Sequence, residues 1–507
     1  MSLPPSILPT LRVWLLRASL PLLALATLAG WSLATPVGSS PDDDYHLAST
    51  WCAQGERSGA CGVEEPDGER IVALDLVVAS VCAAHDPNAS AACQGGPLDS
   101  GVGPYGPSAR GNFAQHLYPP VYYAAMSVVV SHDVGRSVLV MRMLNALLLV
   151  ALGAALWWLL PARRRYLAFV PLALTVVPVG LSLVASTNPS AWAIASGAYV
   201  WVSVVGYFET RGRRAVGLAV TAAIATIVGA GARADSALYA IVAIAVAMLL
   251  SARRTRAFAT RSLVPVALVG IAGALYLTGS QGSAISEGLT GQADSVPISL
   301  GENVVATLSR IRHFPGLIAG AFGHWPLGWF DTPMPTAVVY LAAIPVGAAV
   351  VLGIRRLDRA KFVALGLLAF VTLAAPLIVL AKSRAPIGQY VQPRYILPLL
   401  IVFVGVALYR RDAPGLGGPR AVPWVSAGLL AVAHAIALHA VIRRYVTGVD
   451  LTGWNLDENR EWWWDVPVGP MATWIATSLL FTALMAGFAL VVDRSRQPVG
   501  SPSAPLA

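Results

Sequence analysis

Apolar runs of 18 or more residues recur from one end of this chain to the other. Each is long enough to cross about 30 Å of hydrocarbon as a helix. Candidate spans lie at about 11–33, 136–160, 167–185, 190–208, 215–232, 236–251, 262–279, 336–353, 362–381, 396–409, 421–441 and 471–492, roughly twelve in all. The shortest, 396–409, is expected to begin earlier, near Val391. Composition agrees, because 507 residues that are 56% hydrophobic and 12% charged do not make a soluble globular protein. The expectation is an all-α integral membrane protein, one polytopic domain over residues 1–507.

Arginine placement orients it. Every second connection is short and basic: "PARRRY" (161–166), "ETRGRR" (209–214), "SARRTRAFATR" (251–261), "GIRRLDRAK" (353–361) and "YRRDAPGLGGPR" (409–420). The segment 493–507, opening "DRSR", reads as a disordered tail on the same side. Under the positive-inside rule these segments and both termini are cytoplasmic. The net charge of +9 therefore serves topology and gives no argument for nucleic-acid binding. Lysine occurs only at 361 and 382, a bias of high-GC bacterial coding, so the expected location is a bacterial cytoplasmic membrane. Arg12 and Arg17 precede the first apolar run, but its length and the lack of a clear A-x-A site favour a retained helix over a cleaved signal peptide.

The opposite connections carry the unusual chemistry. The first, about 35–135, opens on "PDDDYH" (41–46) and holds all four cysteines, Cys52, Cys61, Cys82 and Cys93. An even count in one extracytoplasmic loop suggests two disulfides. Three connectivities are open; the local one, Cys52–Cys61 with Cys82–Cys93, is the simplest. The loop ends "QHLYPPVYYAAMS" (115–127), where a helix can open at Val121. Tyr118, Tyr122 and Tyr123 are either an interfacial belt or, with His116, a cavity wall.

"STNPSAW" (186–192) is a turn, and "GARADSALY" (231–239) puts Arg233 and Asp235 at the membrane boundary, paired with each other or with something else. The large segment 280–335 contains "SLGENVVATLSRIRHFPG" (299–316), an amphipathic helix capped by Ser299 and Glu302 and ended by Pro315. The Gly- and Pro-rich "GHWPLGWFDTPMP" (323–335), with Trp329 and Asp331, follows. "AKSRAPIGQYVQPRYILP" (381–398) sets Lys382, Arg384 and Arg394 against the charge rule, beside Gln392 and Tyr395. An anionic ligand accounts for three outward cations, and so does pairing with Asp42–Asp44, Asp235 or Asp331. Trp462, Trp463 and Trp464 are interfacial anchors or a stacking surface. Span centres are nearly free of ionisable residues, His434 being the plainest exception, which favours surface chemistry over transport.

The series "PDDDYH", "HLYPPVYY", "STNPSAW", "GARADS", "GWFDTPMP" and "QPRYILP" resembles, in order and over nearly the whole chain, a family of bacterial polytopic membrane proteins defined as a domain of unknown function. That family is similar to the GT-C glycosyltransferases. Pro393 departs from it, standing where the family usually has Gly. The resemblance implies a GT-C-like fold and transfer of a sugar from a polyprenyl-phosphate donor to a cell-envelope glycan, lipid or protein acceptor at the extracytoplasmic face. By motif position, Asp42 and Asp43 match the family's acidic pair and His46 its histidine. Asp43 would act as base with Asp42 and His46, while Arg394, Lys382, Arg384 and Arg233 would hold the donor phosphate. His116, Tyr122, Tyr123, Asp235, Trp329, Asp331, Gln392 and Tyr395 would line the cavity. Asp42 and Asp43 are also the paired carboxylates that can hold Mg²⁺ or Mn²⁺; the superfamily includes metal-independent members. The competing readings are a lipid-linked-sugar transporter or flippase, and a non-catalytic envelope scaffold.

Overall fold

The protein is represented by a computed structural model that describes residues 7–57, 59–66, 68–95, 105–282, 311–383, 391–411 and 418–494, with isolated positions between 301 and 309. Side chains are described from Ser19 onward, and not at Gln115 or over residues 380–390. Arg384, the side chain of Lys382, and Ser299, Glu302 and Val304 of the expected amphipathic helix lie outside the described residues. So does residue 495 onward of the expected tail.

Among the described residues, nine helices are long and apolar enough to cross a membrane: Val134–Leu159, Ser190–Glu209, Gly212–Ala232, Ala234–Ser251, Arg256–Tyr276, Thr336–Ile354, Arg359–Val379, Ala421–Val446 and Pro470–Asp493. Two further expected spans are shorter apolar helices, Ser19–Leu33 and Pro393–Leu408. The remaining one, 167–185, is not a single helix. It divides into Val170–Thr175 and Val179–Val184 around Pro178. Proline has no N–H to donate and disfavours helical backbone at the residue before it. The interruption is tolerated because both pieces are largely buried inside the bundle.

Helix Ser190–Glu209 is the hub, buried without interruption from Ser190 to Gly206. Its small residues allow close helix approach. At Gly197 an added Cβ would lie 2.8 Å from the Pro398 carbonyl oxygen, and at Gly405 one would lie 2.3 Å from the Trp201 ring. These two contacts dock helix Pro393–Leu408 against the hub.

The basic connections gather at one end of the bundle. Arg164 is bidentate on Glu209 at 3.0 and 2.7 Å and also reaches the carbonyls of Arg410 and Arg411. Arg411 reaches the Ala252 carbonyl at 3.1 Å, and Lys361 donates to the carbonyls of Gly353 and Tyr409 at 2.7 and 3.0 Å. The first large loop lies at the other end. It holds the disulfides Cys52–Cys61 and Cys82–Cys93. A three-stranded antiparallel sheet, Cys61–Glu64, Arg70–Ala73 and Tyr105–Ser108, follows chain order, and a short helix, Val121–Met126, opens after Pro120.

Two expectations change here. Pro315 does not end a helix; it sits in the first turn of a new one, Phe314–Gly320. The missing proline N–H costs nothing at that position. The tryptophan triplet is tied into the fold, with Trp464 Nε1 donating to the Leu33 carbonyl at 3.0 Å and Trp463 Nε1 to Val468 at 2.7 Å.

Candidate functional site

The "PDDDYH" stretch forms a turn and the N-terminus of helix Asp43–Trp51. Asp42 stands in the left-handed region (φ 63°, ψ 19°), which short polar residues tolerate better than most. The turn sends its three carboxylates to different partners. Asp42 accepts from Arg394 Nη2 at 2.7 Å and lies 3.6 Å from Arg110, with about a third of its side chain (36%) exposed. Asp44 accepts from Arg110 Nε at 2.7 Å. Asp43 points inward and is fully buried, one oxygen accepting the Ser40 N–H and the other the Thr187 hydroxyl, both at 2.9 Å.

The electrostatics separate the acids. Burial pushes the Asp43 carboxyl up to about 7; the Ser40 N–H, Arg142 and Thr187 oppose that rise without cancelling it. Burial also raises Asp42, but Arg394 and the other nearby charges outweigh it and leave the group below the usual carboxylate range. His46 is driven down to about 3, chiefly by burial, so its ring is neutral at neutral pH. Its Nδ1 meets the Tyr123 hydroxyl at 2.8 Å, while Nε2 is buried without a partner among the described residues.

The cations share an aromatic plate. The guanidinium carbons of Arg233 and Arg394 lie 4.8 and 5.1 Å from the Tyr395 ring centroid. Arg233 is bidentate on Asp235 at 2.9 Å. Each arginine keeps one buried nitrogen unpaired among the described residues, Nη1 of Arg233 and Nε of Arg394. Arg394 also lines a small cleft, together with Ser40, Ser182, Trp325, Phe330 and Gln392 among others. Ser40 Oγ and Gln392 Oε1 are likewise buried and unpaired. Three orphan polar atoms on residues lining one cleft are unusual, because buried polar groups normally find partners.

The remaining expected residues are dispersed. Tyr122 donates to the Thr187 carbonyl at 2.7 Å and packs edge-on to Trp192, bracing the Asp43 turn. Trp329 Nε1 reaches the Gly38 carbonyl at 2.7 Å. Asp331 is buried in an ion pair with Arg444 at 3.0 Å and accepts the His85 N–H at 3.2 Å, which is a structural tie. His116 is exposed, and its carbonyl accepts the Ser280 N–H at 2.8 Å. His434 accepts from Trp31 Nε1 at 2.9 Å and stacks on Phe481.

Sequence reasoning missed Arg110, Arg142 and Thr187. Arg142 lies within helix Val134–Leu159, fully buried, with Nη1 on the carbonyls of Ser32 and Thr35 at 2.6 and 2.7 Å and Nη2 on that of Pro36 at 2.5 Å. An arginine inside an apolar run was the visible signal, since such a residue needs internal partners.

The acidic pair does not fit a metal ion as it stands. The oxygens of Asp42 serve arginines and those of Asp43 serve an N–H and a hydroxyl. No group of three or more His, Cys, Asp or Glu side chains is arranged to hold one among the described residues.

Apolar helices, a disulfide-bonded loop and a polar site at one end of the bundle define a polytopic helical membrane protein. The chain belongs to the DUF2142 family, described as a predicted membrane protein, whose family model matches residues 25–404. That range includes Asp42, Asp43, His46, Arg110, Arg233 and Arg394. No curated protein matches the chain.

Proposed function

We propose that this protein is a membrane glycosyltransferase that moves a sugar from a polyprenyl-phosphate donor to a cell-envelope acceptor, at the extracytoplasmic face of a bacterial cytoplasmic membrane. The observation that carries the reading is the meeting of Arg394 and Arg233 on the Tyr395 ring, each with a buried nitrogen unpaired among the described residues, with Arg394 both paired to Asp42 and lining the cleft. Arginine nitrogens without partners suit phosphate oxygens. Trp325 and Phe330 offer apolar faces, and Gln392 Oε1 and Ser40 Oγ offer hydrogen-bonding groups, the combination a sugar requires.

The roles of the acids follow from their exposure. Asp43 has no exposed surface and both oxygens engaged, which does not fit a base that meets the acceptor itself. Asp42 is the accessible carboxylate and takes that role here, with Asp43 and Tyr122 holding its turn in place. Phosphate arriving at Arg394 draws that cation away from Asp42, so Asp42 becomes more basic as donor binds. His46, neutral and joined to Tyr123, supports the aromatic wall.

The experiment is glycan analysis of the envelope in a strain lacking the protein, complemented with wild type, Asp42→Asn or Arg394→Gln. Loss of a general base costs about 10²–10⁴-fold in rate. The proposal expects both variants to reproduce the deletion glycan profile at wild-type protein levels. Wild-type glycans from Asp42→Asn would refute the role of Asp42.

A further inference from the structure

The arginine-rich end carries a second cavity system that the glycosyl-transfer reading does not use. Between helices Thr336–Ile354, Ala421–Val446 and Pro470–Arg494 and the short helix Val170–Thr175 runs an apolar groove. Leu174, Pro345, Ala427 and Phe488 are among its walls, and Ser426 is its one polar lining side chain. Next to it is a cleft lined by Arg355, Arg356, Arg410, Gly353 and Gly418 together with two leucines. Those leucines, Leu352 and Leu408, line the groove as well, so the two cavities meet at a shared wall.

Among the described residues, no ion pair engages Arg355, Arg356 or Arg410. The structural cations at this end are others: Arg164 on Glu209, and Lys361 on two carbonyls. Arg410 contributes its backbone carbonyl to Arg164, which leaves its guanidinium free of that duty. Arg355 and Arg356 are exposed, and no acid lines either cavity among the described residues. Three arginines opening onto a groove of hydrocarbon character match a molecule with an anionic head and an apolar chain. Basic pockets between membrane helices are established sites for anionic lipid headgroups.

We propose that this composite cavity is a specific site for one anionic phospholipid. Its phosphate lies against Arg355, Arg356 and Arg410, and one acyl chain passes Leu352 and Leu408 into the groove. The site is at the opposite end of the bundle from Asp42 and does not depend on the reading of that end.

The test is native mass spectrometry of the full-length protein released from nanodiscs of mixed phosphatidylglycerol and phosphatidylcholine. Wild type should retain one phosphatidylglycerol in preference to phosphatidylcholine, and millimolar inorganic phosphate should not displace it. Each arginine near an anionic headgroup is worth about fivefold, so the triple variant Arg355→Gln, Arg356→Gln, Arg410→Gln should lower the preference by roughly a hundredfold. Ala427→Trp, which fills the groove and leaves every arginine in place, should also release the lipid. Unchanged preference in the triple variant overturns the proposal, as does retention by Ala427→Trp. Displacement by inorganic phosphate would show a bare anion site and overturn it too.

Discussion

At the scale of single residues, three neighbouring aspartates have three different fates, set by burial and by the partners each one meets. Asp43 carries a folded pKa of about 7 against 3.8 for an ordinary aspartate, so its contribution to stability is full below about pH 4 and is lost as pH rises through 7. The stability difference between wild type and Asp43→Asn should therefore fall across pH 4–7 and level off above it. Thermal unfolding of the purified protein in detergent at a series of pH values measures this, and a flat difference would contradict the buried carboxylate. Elsewhere, Arg444→Ala strands the fully buried Asp331 without its cation. Losing one partner of such a pair costs about 3–5 kcal/mol. A markedly lower unfolding temperature is expected, and a comparable loss from Asp331→Asn, which leaves the buried Arg444 cation with backbone carbonyls as its remaining partners. Little of this was legible beforehand. Outward cations and acids stood out in the sequence, and the pairing of Arg394 with Asp42 was among the readings it offered. Which acid turns inward depends on Ser40 and Thr187, whose sequence neighbourhoods give no hint that they meet.

At the scale of elements, the position of Arg394 depends on how helix Pro393–Leu408 crosses the hub. Gly197 at Pro398 and Gly405 at Trp201 fix that crossing. Gly197→Leu has no room and must push the helix away, carrying Arg394 from Asp42. We expect a loss of activity comparable to Arg394→Gln, accompanied by lower stability; Gly270→Ala, with nothing near its Cβ, should be silent in both assays. Helix existence was largely readable, because long apolar runs have few alternatives in a bilayer. The exception is 167–185. Its prolines were visible, but the run's apolar length outweighed them, and only burial within the bundle makes a broken segment stable there. Pro315 begins a helix where the sequence pattern suggests an end, since proline is compatible with both positions.

At the scale of the whole molecule, polarity is divided between two ends separated by an apolar bundle. One end gathers arginines and backbone carbonyls; the other gathers disulfides, aromatic side chains and the acidic turn. Arginine spacing alone foresaw this division. It could not foresee the two connected cavities at the arginine-rich end, because they arise where four helices fail to close. The central claim concerns the other end, and a turnover assay addresses it directly. Purified protein in proteoliposomes is supplied with a labelled polyprenyl-phosphate sugar and an envelope extract as acceptor, and release of polyprenyl phosphate is followed. The account predicts release by wild type, reduced at least a hundredfold in Asp42→Asn with donor binding retained. Donor that crosses the bilayer intact, or identical release by wild type and Asp42→Asn, would contradict it.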